Sequence, residues 1–89
     1  MKPLERRILE NVFDALDRLF DHNCQVEDVH DLLFASNIAL KDLGSSVCLN
    51  DYVNSLESII KTNDSNELKR ELSLEETDKL RFILNDLQI

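Results

Sequence analysis

The sequence predicts an all-α fold, a small antiparallel four-helix bundle built as one domain over residues 1–89. Three observations lead there. Apolar residues recur at three- and four-residue spacing through most of the chain. One glycine and one proline are too few for tight hairpins or phosphate-cradling loops. No stretch shows the alternation of a half-buried strand. A domain of 89 residues buries only about two-thirds of the surface its unfolded chain exposes, so its stability would gain from a bound partner.

The first helix is expected from Leu4 to Phe20, where apolar residues at 4, 8, 9, 12, 13, 16, 19 and 20 form one broad stripe. Pro3 suits its first turn, where the missing N–H has no helical partner to lose. The polar run Asp21, His22, Asn23 ends it. The second helix lies in "CQVEDVHDLLFASNIALKDLG", with Val26, Val29, Leu33, Ser36, Leu40 and Leu43 on its inner stripe. Gly44 closes it, because glycine takes the left-handed conformation of a helix cap without strain. Phe34 and Ile38 fall off that stripe and are expected to meet another helix or another chain.

A third helix is expected over about residues 50–61, using Leu49, Tyr52, Val53, Leu56, Ile59 and Ile60. Asn50 is the expected N-cap, with Asp51 favourably placed against the helix dipole. A polar cluster at 62–66 follows. "NELKREL" offers only Leu68 and Leu72, too little for a stable helix alone. The last helix is therefore expected to open at the capping box "SLEE", residues 73–76, and to bury Leu80, Ile83, Leu84 and Leu87.

Charge narrows the function classes. The net charge of −8 repels nucleic-acid phosphates and anionic lipid, so neither nucleic acid nor membrane is expected as a partner. Lys69, Arg70, Lys79 and Arg81 make no basic patch, being matched by Glu67, Glu71, Glu75, Glu76 and Asp78. The opening "MKPLERRILE" carries charges where a signal peptide needs an apolar core, and a cytoplasmic location is expected. In that compartment Cys24 and Cys48 are expected to be reduced.

The stretch "FDHNCQVEDVHDLL" sets His22, Cys24 and His30 among carboxylates. Structural zinc sites need a second close pair of ligands, which is missing here, so no metal is expected. No glycine-rich oxyanion loop or nucleophile elbow accompanies either cysteine, and nothing places two acids in a pocket. Neither an enzyme nor a cofactor is expected.

The acids themselves are the more informative feature. Between positions 10 and 31 lie Glu10, Asp14, Asp17, Asp21, Glu27, Asp28 and Asp31, with Arg18 the one base among them. Positions 10, 14, 17 and 21 line one face of the first helix, where like charges weaken a helix slightly. Such a row is either a solvated face or a docking surface for a basic protein.

The segments "DVHDLLFASNIALKDL", "YVNSLESIIKT" and "EETDKLRFILNDL" resemble small helical immunity proteins encoded beside bacterial toxins of contact-dependent growth inhibition and related systems. The likeness spans about residues 28–87 and lies in helical pattern, with no catalytic or ligand signature. It implies a cytoplasmic protein that binds one cognate toxin domain, often a nuclease, and blocks it. These families vary in contact surface, so the acidic residues are inferred from charge alone. The expected partner is a basic toxin domain, bound by a monomer. The alternative is a helical adaptor that self-associates or joins an assembly through Phe34 and Ile38.

Overall fold

The computed structural model describes residues 1–89 and contains four helices: α1 Pro3–Phe20, α2 Val26–Asp42, α3 Asn50–Ile60 and α4 Asn66–Asp86. They form a four-helix bundle, 39 Å long and 22 by 18 Å across. Each helix packs on the next, α4 returns to α1, and α2 also reaches α4 across the centre. No helix is long and apolar enough to cross a membrane.

The core follows the helical stripes. Leu9, Val12, Leu16 and Leu19 of α1 meet Val29, Leu33 and Leu40 of α2, and Leu49, Val53 and Leu56 stand at or in α3. Of α4, only Leu80 and Leu84 join this cluster, and its other buried residues are Ser73 and Thr77; Ile83 and Leu87, expected inside, are exposed, because the inner face of the longer helix runs through 73, 77, 80 and 84. The Thr77 hydroxyl donates to the Ser73 carbonyl at 2.8 Å. The Ser73 hydroxyl is fully buried and has no partner.

Three helices finish with the same device, a left-handed residue that lets the chain fold back on the last turn. At Gly44, φ is 72°, and the Gly44 and Ser45 N–H groups donate to Lys41 and Leu40 carbonyls. His22 (φ 63°) repeats this at the end of α1 and Gln88 (φ 59°) at the end of α4. A side chain in this conformation costs about 1 kcal/mol, which glycine avoids.

Two expected boundaries are corrected. The motif "SLEE" is no N-terminus: Ser73 lies in the middle of α4, which starts at Asn66 with the Ser65 hydroxyl accepting from Leu68 N at 3.2 Å. The cause is tertiary. Lys69 Nζ donates to the Ile60 carbonyl at 2.9 Å, and Arg70 donates through Nε and Nη2 to the Leu19 and Phe20 carbonyls at 3.1 and 2.7 Å. Cations thus sit on the C-terminal ends of α3 and α1, where the dipole favours them, and "NELKREL" is held helical. Asn50 likewise is not the N-cap of α3. Buried Leu49 holds that position, and its N–H donates to Asn37 Oδ1 of α2 at 2.8 Å.

Phe34 and Ile38 stay outside the core, 53% and 50% exposed. Phe82 is more exposed still, at 68%, although its apolar character is compatible with a core position.

Replacing Arg70 by Ala should lower stability by about 1–2 kcal/mol, since two terminal carbonyls lose a charged donor. Ser73→Ala should raise it by about 1 kcal/mol, because an unpaired buried hydroxyl is removed and helix propensity improves. Urea denaturation followed by circular dichroism checks both signs. A destabilised Ser73→Ala protein would mean that the hydroxyl is satisfied in solution.

Candidate functional site

Because Leu9, Val12, Leu16 and Leu19 turn inward, the opposite face of α1 must carry Glu10, Asp14, Asp17 and Asp21. The structure does align these four. Glu10, Asp14 and Asp21 are exposed, while Asp17 is half-buried towards α4. Glu27, Asp28 and Asp31 stand exposed on the first turns of α2, just beyond the α1–α2 turn.

The carboxylates are less isolated than their neighbours in sequence indicate. Arg6 Nε pairs with Glu10 at 3.3 Å, and Arg18 with Asp14, both one helical turn apart and both open to solvent. The Asp14 hydrogen bond and charge hold the Arg18 guanidinium more firmly in its charged form. Pairs this exposed contribute little to stability and are screened by salt, so a partner's cations can displace them.

Asp17 differs. Arg81 of α4 donates to its Oδ1 at 2.6 Å, and the same guanidinium lies 5.2 Å from the centre of the Phe20 ring. Asp28 accepts from Gln25 N at 3.1 Å and so caps α2, and Asp31 faces His30 Nδ1 at 3.1 Å. The Asp21 and Glu27 carboxylates have no ion pair within the chain. The ridge therefore combines free acids, loosely paired acids and one acid fixed to α4.

Sequence reasoning missed the groups beside the ridge. Phe13 and Phe20, seven positions apart, follow the shoulder of the α1 stripe that faces α4. With Arg81, Phe82 and Asn85, Phe13 lines a cleft of about 280 Å³ on the α1–α4 seam. The spacing of the two phenylalanines was a visible signal; the arrival of α4 beside them was not.

His22, Cys24 and His30 do not converge. No three His, Cys, Asp or Glu side chains are grouped so as to hold a metal ion. His22 caps α1, and the His30 ring stacks on Phe34 with centroids 6.4 Å apart. Cys24 is half-buried with its thiol pointing to the Ala15 carbonyl at 3.7 Å. Burial first, and the Asp28 charge second, push that thiol above its ordinary range, so it stays protonated. A cleft of about 300 Å³ opens beside it between the α1–α2 turn and the start of α4. The two cations lining this cleft, Lys69 and Arg70, already bond helix-end carbonyls.

Comparison with protein-family models, with curated proteins and with solved structures finds no match to this chain. The geometry of its own residues therefore carries the functional reading.

With its burial and raised pKa, Cys24 should react slowly with a thiol reagent at pH 8, well after exposed Cys48. Its rate should climb as pH passes above the usual thiol range, where the thiolate finally forms. Mass spectrometry of partly labelled protein distinguishes the two sites. Equal labelling at pH 8 would show that the α1–α2 turn opens readily.

Proposed function

We propose that this protein is a stoichiometric inhibitor of the immunity type, which binds a basic toxin domain, such as a nuclease, through the acidic face of α1 and the start of α2. The observation that carries this reading is the collection of Glu10, Asp14, Asp17, Asp21, Glu27, Asp28 and Asp31 on neighbouring outer surfaces. A surface that grips phosphates is basic, so carboxylates placed on a firm helical frame compete for the same cations. Inhibition by charge needs no catalytic group and no cofactor.

The resemblance of its helical segments to immunity proteins agrees with this reading, which places the protein in the cytoplasm, where such inhibitors would meet incoming toxins. Within the surface, Asp21, Glu27 and Asp28 are the acids with no internal ion pair, and Glu10 and Asp14 are released when solvent-exposed arginines swing away. Asp28 has a second duty as a cap. Its replacement would disturb α2 as well as any partner.

A second reading rests on Phe34 and Ile38, half-exposed one turn apart on α2. They suit an adaptor that self-associates or joins an assembly. Light scattering separates the two readings: a monomer favours the inhibitor, while a dimer lost on Phe34→Glu favours the adaptor.

The main test is capture of the partner from native extract at low salt, followed by titration of the purified pair. A basic toxin domain bound one to one is expected. Converting Glu10, Asp14, Asp21 and Glu27 to lysine should weaken binding by at least about a hundredfold, and flatten its salt dependence. Unchanged affinity and salt dependence would reduce the ridge to a solvated face.

A further inference from the structure

The most exposed large apolar residue of the protein, Phe82, stands beside the acidic ridge and not apart from it. Together with Phe13 and Asn85 it borders the α1–α4 cleft, and Phe20 continues the aromatic surface along α1. Arg81 fastens this surface: it grips Asp17 on one side and lies over Phe20 on the other. Aromatic side chains framed by charges are what the centres of protein interfaces are made of.

We infer that the α1–α4 seam is the anchoring point of the partner, taking an apolar side chain of a basic protein helix between Phe13 and Phe82 while that helix's arginines reach Asp14 and Asp21. This rests on the inhibitor reading and goes further, because it names the part of the acidic surface where affinity concentrates and the form of the segment that docks.

Charge complementarity selects the occupant. The ridge on one flank of the seam repels nucleic acid and equally repels a second copy of this chain, which brings a net charge of −8 and the same ridge. A basic amphipathic helix satisfies both parts of the surface at once, its apolar face on the aromatics and its cations on the carboxylates. Arg81 shows within the chain how a guanidinium is received here, stacked on an aromatic ring and bonded to a carboxylate. Arg81 is thus a positioning residue, while Phe82 is offered to the partner. The other exposed aromatic, Phe34, stacks on His30, which faces Asp31, and has no arginine-held carboxylate beside it.

The test uses the full chain, isotopically labelled, and a synthetic helical peptide with leucines on one face and arginines on both flanks. A second peptide carries glutamate for arginine. Saturable amide shifts are expected around Phe13, Phe20, Phe82 and Asn85 with the arginine peptide and none with the glutamate peptide. Phe82→Ser should weaken binding about tenfold and leave the salt dependence and thermal unfolding unchanged, because the side chain is largely exposed. Reversing Glu10, Asp14 and Asp21 should instead reduce the salt dependence.

If Phe82→Ser binds as well as the natural chain while the reversed acids abolish binding, the seam is not the anchor and the acidic reading stands. If shifts gather around Phe34 and Ile38, or the arginine peptide does not bind, the seam is overturned. Equal binding of the glutamate peptide would overturn the seam and the acidic reading together.

Discussion

Lys69 and Arg70 reach back from the first turns of α4 to the last carbonyls of α3 and α1, and the placement of the start of α4 rests on those bonds. A helix leaves its terminal carbonyls unpaired, and burying them without partners is costly. α4 supplies the partners. It also needs them, since only Leu80 and Leu84 of its 21 residues join the buried apolar cluster. Arg81 adds a third attachment further along, to Asp17. A predominantly polar helix is thus joined to the bundle by cations at its start and by Leu72, Leu74, Leu80 and Leu84 along its inner face.

This division of labour explains how an acidic chain divides its charges. Several of its few cations, Lys69, Arg70 and Arg81, turn towards the bundle's own carbonyls and carboxylates. Many acids are left facing solvent. On α1 the inward leucines fix the outward carboxylates, so core packing and the charged surface come from the same periodicity. The partner surface proposed for α1 is then an outcome of how the core is built and of where α4 lies.

Four helices and most of the core were legible in the sequence, because long apolar stripes survive whatever the tertiary contacts do. α1 and α2 end where polar runs and Gly44 place them. The start of α4 was not legible. "SLEE" has the form of a capping box, yet the helix starts eight residues earlier at the Ser65 cap, where bonds to carbonyls far away in sequence hold its first turns. Asn50 gave up the cap position to buried Leu49, whose own N–H is held by the Asn37 side chain of α2. At the candidate site, the row of acids was visible from spacing, whereas Arg81 and Phe82 came beside it only through the α1–α4 packing.

The cleft beside Cys24 is bounded by Leu19, Val26 and the same residues that attach α4, Lys69 and Arg70 among them. Its walls are therefore held by a few polar bonds at the rim and by little buried apolar surface on the α4 side. Regions of this kind open first in native-state fluctuations. A substitution that loosens this junction would be felt as faster hydrogen exchange in the last turns of α1 and α3 together. The last turns of α1 and α3 and the first turns of α4, distant in sequence, are tied together by these bonds, so opening one would loosen the others.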